Sequence, residues 1–266
     1  MLIEVTYSCS MGCSHCMSDC KPNGQHMSVQ TFSDSLDFMM KYAIPFWNFS
    51  GGEVFEHPDI LELLSIIESK WNRKYPITFI TNGRKLVQDK TIYNAIANLQ
   101  SKYGKKNILI QVTDDDRFYP TSLTDKEKYW LRKLNAIIDT DPGNPSDKNK
   151  CLYPQGRALE NFSEENWYTI APKCTNVRLM PLQGVDDIHT IVLTLLNNQK
   201  ICTPVIAPDG SIKLGESALC PPVASIYDTE SDIIQKIKNC KCTQCKIPWE
   251  RLKHHNPMAY NMLTKN

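Results

Sequence analysis

Three cysteines near the start of the chain have the spacing of ligands that share one metal centre. Cys9, Cys13 and Cys16 lie in the run CSMGCSHC, directly after the apolar segment 2–7. Thiolates at this spacing in one short loop can bind three corners of a cubane iron–sulfur cluster and leave the fourth iron without a protein ligand. An iron atom that is open on one side can bind and reduce a substrate or cofactor, so the loop points to an enzyme.

The other cysteines point to a second metal site. The chain has eleven cysteines in 266 residues, and all but Cys151 and Cys174 fall within 9–20 or 202–245. The N-terminus has no signal-peptide core, so we expect a cytoplasmic protein, in which metal or redox chemistry explains cysteines better than disulfides do. A net charge of +1 and the lack of a long apolar run favour neither nucleic-acid binding nor a membrane location.

Strands and helices alternate in the hydrophobic pattern, which predicts βα units and a parallel sheet. Loops after the carboxyl ends of such strands build the active site of a parallel barrel, so the turns at 51–53, 81–82 and 113–114 should meet the cysteine loop. The predicted strands are 2–7, 45–50, 76–80 and 107–113, with a fifth within 151–158 and a sixth at 177–182. The predicted helices are 28–43, 59–71, 89–102 and 124–138, and 188–196 fits either type.

The pattern changes after Cys202. Pro208-Asp209-Gly210 is typical of the turn of a hairpin, and 230–239 is predicted as a short helix that leads to the last cysteines.

The first strand and its cysteine loop resemble the signature of the radical S-adenosylmethionine (SAM) enzymes, and Ser50-Gly51-Gly52-Glu53 resembles the turn by which that family holds the SAM amino group. The resemblance implies an α/β fold, a partial (β/α)6 TIM-type barrel, which we place at 1–196. It also implies a [4Fe-4S] cluster and SAM, reductive cleavage of SAM to a 5′-deoxyadenosyl radical, and hydrogen abstraction from a substrate. A flavodoxin- or ferredoxin-type protein is the electron donor that the family implies.

The resemblance also assigns residues to SAM. Gly51, Gly52 and Glu53 would bind its amino group, and His15 would pack near its adenine. Further polar residues at the ends of later strands match family positions that contact the SAM ribose or carboxylate: Thr81, Asn82, Gln111, Thr113 and, within Gly156-Arg157-Ala158, Arg157.

Several of these residues also have simpler interpretations. The first three cysteines could bind zinc with Cys20 as the fourth ligand. Thr81-Asn82-Gly83 could be an ordinary turn, and Asp114–Asp116 is more typical of a solvated loop than of a catalytic set. No catalytic residue can be assigned, and the candidates are Asp114, Arg157 and Cys174.

The C-terminal cysteines resemble the auxiliary-cluster subdomain of radical SAM enzymes, called twitch in its one-cluster form and SPASM in its two-cluster form. We place a twitch-like subdomain at 197–266. Its expected ligands for a second [4Fe-4S] cluster are Cys202, Cys220, Cys242 and Cys245, and Cys240 is the alternative to the third of these, Cys242. A zinc knuckle is the alternative.

Three functions follow from the resemblance. The first is modification of a ribosomally made peptide by cross-linking, oxidation or epimerisation. Because the predicted barrel starts at residue 2, a separate recognition protein or the barrel itself would have to bind the peptide. The second is radical dehydrogenation of a small molecule such as an aminocyclitol alcohol. The third is a non-catalytic regulator that binds a cluster or zinc.

Overall fold

Strand and helix alternate through the first half of the chain, as the hydrophobic pattern predicts. The computed structural model describes residues 1–139, 152, 154–166, 184–197, 203–216, 218, 220–240 and 246–264. Five strands of this half are parallel to their neighbours: Leu2–Thr6 (β1), Trp47–Gly51 (β2), Ile77–Thr81 (β3), Ile108–Thr113 (β4) and Ile137–Asp139 (β5).

Three of the helices between these strands begin at residues whose side chains cap them. Ser28 accepts a hydrogen bond from Thr31 N, Asp89 caps a later helix, and Thr124 forms a capping box with Glu127. The helices are Val29–Lys41 (α1), Ile60–Lys70 (α2), Arg84–Gln88 (α3), Lys90–Tyr103 (α4) and Asp125–Lys133 (α5).

The two faces of the parallel sheet differ in chemistry. Ile3, Phe49 and Phe79 belong to the core formed with the helices, and the rings of Phe49 and Phe79 stack with centroids 5.4 Å apart. Side chains alternate between the faces of a strand, so Glu4 and its register partner Ser50 lie on the opposite face. We call the face that carries Glu4 and Ser50 the inner face. It is polar at these positions, whereas the outer face packs its apolar side chains on the helices.

The C-terminal half extends the same sheet. The strand order is β5-β4-β3-β2-β1-β6-β7-β8. Strand β6 pairs with β1 in parallel, whereas β7 is antiparallel to both of its neighbours, β6 and β8. These strands are Val205–Ile206 (β6), Ser211–Lys213 (β7) and Pro222–Ser225 (β8). The helices are Arg157–Asn161 (α6), Ile188–Asn197 (α7), Glu230–Lys238 (α8), Lys246–His255 (α9) and Pro257–Thr264 (α10).

A buried ion pair joins the hairpin to the first strand. Lys213 Nζ on β7 lies 3.1 Å from Glu4 Oε2 on β1, and their side chains are 7% and 1% exposed. The Tyr7 hydroxyl donates to the same carboxylate oxygen at 2.7 Å. The predicted hairpin is thus confirmed, and it is anchored on the barrel sheet. The division of the chain at 196/197 stays a prediction.

Two predicted elements differ from the structure at their C-terminal ends. The helix predicted at 124–138 ends at Lys133, because Asn135 adopts a left-handed φ of 54° and Ile137–Asp139 then pairs with β4 as the fifth strand. The fifth strand predicted within 151–158 is replaced at its end by α6, which Gly156 starts with a φ of 54°.

Other segments were left undecided by the sequence. Residues 188–196 are helical within α7, and the predicted sixth strand at 177–182 lies outside the described residues. None of the described helices combines the length and the apolar character needed to cross a membrane.

Candidate active site

A cavity of about 430 Å³ lies at the carboxyl ends of β1–β4. Its volume is in the range of sites for small molecules and cofactors. The turns after four successive strands meet there, as we expected from the parallel sheet. The lining includes Cys9, Cys13, Cys16, Gly51, Gly52, Glu53, Thr81, Asn82 and Thr113.

The cysteine loop is held by backbone hydrogen bonds at three places. Cys9 N donates to Lys21 O at 3.1 Å, and Asp19 N donates to Cys16 O at 3.3 Å. Ser14 N donates to Phe118 O at 3.1 Å, which ties the middle of the loop to the segment after β4. These bonds hold the three thiols on one wall of the cavity.

The three thiols differ in acidity. Burial raises the pKa of Cys9 to about 11 and that of Cys13 to about 12, whereas hydrogen bonding from the side chain of Cys20 lowers the pKa of Cys16 to about 6. Metal binding needs thiolates, and the positive charge of bound iron favours them. Within the described part of the chain, no three Cys, His, Asp or Glu side chains surround a single-ion site. A cubane cluster instead takes each cysteine at a separate corner.

Gly51 and Gly52 are required by contact with β1 and the residues after it. A Cβ on Gly51 would lie 2.1 Å from Thr6 O, and one on Gly52 would lie 2.0 Å from Ser8 O. Gly51 also adopts a φ of 120°. Both glycines are therefore needed for the close approach of the chain to itself, whatever they contribute to ligand binding.

Glu53 is a buried carboxylate with neutral partners. It is 1% exposed, and Oε1 accepts from Thr81 Oγ1 at 2.6 Å and from Phe55 N at 3.1 Å. Oε2 accepts from Asn82 N at 2.7 Å. Burial raises the pKa of Glu53 to about 7. No Lys or Arg side chain forms an ion pair with it among the described residues.

Thr81 and Asn82 position Glu53 as well as line the cavity. The Thr81 hydroxyl donates to Glu53 and accepts from Gly83 N at 2.8 Å. The side-chain oxygen of Asn82 accepts from Arg84 N at 3.0 Å. The ordinary-turn interpretation is therefore incomplete, because this turn also holds the carboxylate.

Of the two residues on β4 that were predicted to contact SAM, one lines the cavity and the other does not. Thr113 lines the cavity and its hydroxyl oxygen accepts from the Tyr119 hydroxyl at 2.6 Å. Gln111 lies on the same face of β4 but is exposed and does not line this cavity.

The acidic run after β4 is solvated only at Asp116, which is exposed. Asp114 is 4% exposed and Asp115 is 1% exposed. Asp114 pairs with Lys128 at 2.8 Å and accepts from Leu123 N, and it does not line the cavity. Asp115 lines the cavity and pairs with Arg117 at 2.6 Å. The solvated-loop expectation failed at these two residues because each carboxylate pairs with a basic side chain, Lys128 on α5 for Asp114 and Arg117 for Asp115.

The sequence analysis missed an aromatic wall after β4. Phe118 and Tyr119 lie against His15, with ring centroids 4.9 Å and 5.6 Å from it. Burial lowers the pKa of His15, and its buried Nδ1 has no hydrogen-bond partner among the described residues. The signal that could have revealed this wall is an aromatic pair that directly follows the polar end of a strand.

Solved structures share this architecture at low sequence identity. SuiB from Streptococcus suis, bound to precursor peptide SuiA, aligns with a TM-score of 0.57, 12% identity and coverage of 91% of this chain and 67% of that chain. BtrN in complex with AdoMet and 2-DOIA aligns with a TM-score of 0.54 and 11% identity, over 100% of this chain and 90% of that chain. Native anSMEcpe with bound AdoMet and Cp18Cys peptide aligns with a TM-score of 0.50 and 12% identity, over 99% of this chain and 87% of that chain. These neighbours are radical SAM enzymes. The chain has the radical SAM fold.

One curated protein matches part of the sequence. The antilisterial bacteriocin subtilosin biosynthesis protein AlbA of Bacillus subtilis (strain 168) is 27% identical over 81 residues, which are 30% of this chain and 17% of AlbA. The match therefore spans less than a fifth of that relative's length. The chain matches no family model.

The cavity of this radical SAM fold suits a cluster and SAM. Its wall carries three cysteine thiols, and Glu53 offers a buried carboxylate to a cationic group. His15 presents an unpartnered ring nitrogen beside two aromatic rings. The donor set therefore matches an iron–sulfur cluster, an ammonium group and an aromatic base.

Arg157 lies behind the cysteine loop. Its backbone N donates to Cys16 O at 2.9 Å, and its Nε lies 3.9 Å from Asp19 Oδ1. It is not among the residues that line the cavity. Contact of Arg157 with the SAM carboxylate stays a prediction.

The predicted auxiliary ligands are only partly within the described residues. Cys220 and Cys240 are half-buried, whereas Cys202, Cys242, Cys245 and the catalytic candidate Cys174 lie outside them. The segment before Cys220 touches the cysteine loop, since Ala218 N donates to Met17 O and Ser18 Oγ donates to Glu216 O.

Proposed function

We propose that this protein is a radical SAM enzyme that modifies a ribosomally made peptide. When bound, the reduced cluster and SAM supply a 5′-deoxyadenosyl radical that abstracts a hydrogen atom from the substrate. The observation that carries this proposal is the meeting of Cys9, Cys13 and Cys16 with the turn 51–53 around one cavity.

The cysteine loop would hold the cluster. Cys9, Cys13 and Cys16 provide three thiolates, and the hydrogen bond from Ser14 to Phe118 keeps the loop against the segment after β4. The three sulfur ligands would leave one iron open toward the cavity, where SAM would bind.

Glu53 would receive the ammonium group of SAM. Its carboxylate is fixed by Thr81 Oγ1 and Asn82 N, so it need not reorganise when the cation arrives. A carboxylate–ammonium contact at a buried site is a charge-assisted hydrogen bond, which is stronger than a neutral one.

The aromatic wall would bind the adenine. His15 and Tyr119 line the cavity next to the cysteine loop, and Phe118 packs on His15. The Tyr119–Thr113 hydrogen bond holds the phenol in place. Stacking on these rings would orient the nucleoside and keep water away from it.

A peptide substrate is supported by the peptide-bound neighbours. SuiB is bound to its precursor peptide SuiA, anSMEcpe to a Cp18Cys peptide, and AlbA is a bacteriocin biosynthesis protein. A separate recognition protein or the inner face of the sheet would bind the peptide. A flavodoxin- or ferredoxin-type donor would supply the electron. Cluster binding needs reduced thiols, which suits a cytoplasmic location.

A small-molecule dehydrogenase is the second candidate. It is favoured by BtrN, which is bound to 2-DOIA and of whose chain 90% is covered. In both cases we infer a second, auxiliary cluster held by the C-terminal cysteines, which would accept an electron from a substrate radical.

Cleavage of SAM tests the enzyme class. Anaerobically reconstituted protein with dithionite and SAM should release 5′-deoxyadenosine, and Cys13→Ala should not. Cys151→Ala is a matched cysteine change outside the predicted ligand sets. Release that persists in Cys13→Ala, or fails in the wild type with a full cluster, contradicts the proposal.

Mass spectrometry separates the substrate classes. Peptides encoded beside the gene should lose two hydrogen atoms on cross-linking or oxidation, or take up solvent deuterium on epimerisation. Conversion of an aminocyclitol alcohol to its ketone with no change to any peptide would favour the second candidate. Iron and sulfide counts of about eight per chain support two cubane clusters, whereas about four with one zinc would exclude the auxiliary cluster.

A further inference from the structure

The start of the cysteine loop and the turn that carries Glu53 are hydrogen-bonded at every second residue of the loop. Gly52 N donates to Thr6 O at 2.6 Å, and Glu53 N donates to Ser8 O at 2.8 Å. These bonds continue the parallel pairing of β1 with β2 past its last register pair, Thr6 with Gly51. The backbone of the turn therefore accompanies the loop as far as Ser8.

At the next position, Ser10, a side chain takes the place of the backbone. After Glu53 the chain bends into the 3₁₀ helix Val54–Glu56, so an extended main chain no longer continues the ladder. Ser10 N donates to Glu56 Oε2 at 2.9 Å, and Ser10 Oγ donates to Glu56 Oε1 at 2.5 Å. Both oxygens of one carboxylate thus bind both donors of one loop residue.

The short helix has a glutamate at each end, and the two bind different groups. Glu53 caps its start, where Oε1 accepts from Phe55 N at 3.1 Å, and Glu53 lines the cavity. Glu56 N donates to Glu53 O at 3.0 Å, and the Glu56 carboxylate binds Ser10, which directly follows Cys9. One helical turn therefore links the proposed contact of the SAM ammonium group to the loop that would hold the cluster.

Two further serines of the loop are bonded to other parts of the chain. Ser14 Oγ donates to Phe118 O at 3.2 Å, and Ser18 Oγ donates to Glu216 O at 2.8 Å. Ser10 is thus the serine that ties the loop to the Glu53 turn, whereas the other two hold the loop against the aromatic wall and the C-terminal half.

We propose that Glu56 is a positioning residue that fixes the separation between the cysteine loop and Glu53. The proposal rests on the proposed function, in which one SAM molecule contacts both the cluster on the loop and the Glu53 carboxylate. A ligand that spans two contacts binds more tightly when both are held in place beforehand, because binding then orders fewer groups. Glu56 acts through Ser10 and does not touch SAM.

The test is an anaerobic titration of the full-length, cluster-loaded protein with SAM, with the cluster left oxidised so that SAM is not consumed. Glu56→Ala removes both bonds to Ser10 and should raise the SAM dissociation constant about tenfold. Ser10→Ala removes only the hydroxyl bond and should raise it about threefold. The double variant should bind like Glu56→Ala alone, because both changes break the same contact.

A conservative variant separates this role from a general loss of structure. In Glu56→Gln the amide oxygen can accept from Ser10 N while the amide nitrogen donates to Ser10 Oγ, so SAM binding should stay within about twofold of wild type. Glu62→Ala changes an exposed glutamate of α2 and should have no effect. Amide hydrogen exchange of the cluster-free protein is the second measurement, and exchange around Ser10 should be faster in Glu56→Ala but not in Glu56→Gln.

Three results would overturn the proposal. A full cluster and an unchanged SAM dissociation constant in Glu56→Ala refute it while leaving the proposed function intact. Losses that add in the double variant show that Glu56 does not act through Ser10. Loss of iron from Glu56→Ala assigns Glu56 to holding the cluster rather than to placing it. If the wild type takes up no [4Fe-4S] cluster, the proposed function fails and this role of Glu56 fails with it.

Discussion

Two buried glutamates near the polar face of the sheet have opposite surroundings. Glu4 and Glu53 are each 1% exposed. Glu4 Oε2 accepts from Lys213 Nζ at 3.1 Å and from the Tyr7 hydroxyl at 2.7 Å. Glu53 accepts only from neutral donors, the Thr81 hydroxyl and the backbone N–H groups of residues 55 and 82. One carboxylate has its cation within the chain, and the other has none among the described residues.

The difference distinguishes a structural ion pair from the carboxylate that we propose as a contact of SAM. Glu4 is neutralised by Lys213 on the hairpin, so this pair joins two parts of the sheet. Burial raises the pKa of both carboxyls to about 7, and at Glu4 the charge of Lys213 offsets part of that rise. Glu53 is held in place with no counter-charge among the described residues. A fixed carboxylate without a cation is prepared for a cationic ligand, which SAM would provide through its ammonium group.

The largest effect should come from breaking the Glu4–Lys213 pair. Lys213→Met leaves a buried carboxylate without its cation, and we expect a loss of about 3–5 kcal/mol in the free energy of unfolding. Urea unfolding of the protein without cofactors measures it.

A double variant is the control for this prediction. Glu4→Gln with Lys213→Met removes both charges and keeps an acceptor for Tyr7, so it should regain most of the lost stability. If the single and double variants unfold at the same urea concentration, the pair is not the source of the effect.

Glu53→Gln should impair binding rather than folding. Removing the charge from the contact with the ammonium group costs about 1.5–3 kcal/mol, or roughly 10- to 100-fold in the SAM dissociation constant. Anaerobic titration of the cluster-loaded protein measures the constant, and the exposed Glu62→Gln is the matched control. Unchanged SAM binding with lower stability would make Glu53 a structural residue like Glu4.

SAM binding should depend on pH through Glu53. The pKa of this carboxyl in the free protein is raised to about 7, so below that pH it is protonated and must lose a proton to pair with an ammonium group. The SAM dissociation constant should therefore increase about tenfold for each pH unit below about 7 and level off above it. A SAM dissociation constant that does not change with pH in the wild type, or that changes with the same slope in Glu53→Gln, would show that the Glu53 carboxyl is not the group that titrates.

The smallest change in SAM binding should come from Thr81, whose hydroxyl holds the Glu53 carboxylate in place. Thr81→Val removes the hydroxyl that donates to Oε1, and we expect about fivefold weaker SAM binding, or about 1 kcal/mol. Thr81→Ser keeps the hydroxyl and should bind nearly as well as wild type in the same titration. Equal loss in both variants would indicate a packing defect.

Part of the site could be predicted because it is local in sequence. Cys9, Cys13 and Cys16 lie within one loop, and Glu53 follows two glycines at the end of a strand. Parallel strands bring their carboxyl ends to one edge, so their meeting with Thr81 followed from the strand pattern.

Other features were missed because they depend on a single backbone angle or on contacts across the fold. Asn135, with a φ of 54°, ends α5 early and frees 137–139 to form β5. Phe118 meets His15 only because the segment after β4 folds over the cysteine loop. Hydrophobic periodicity records neither a backbone angle nor a distant neighbour.

The sequence by itself determined the chemistry at the loop, because ligand type and spacing are properties of a few neighbouring residues. It also determined the parallel α/β class, since period and turn residues repeat along the chain. Only the tertiary structure decided that Lys213 pairs with Glu4 across 209 residues while Glu53 accepts hydrogen bonds from neutral donors. The physical reason is that the cost of a buried charge depends on which groups surround it, and those groups come from distant parts of the chain.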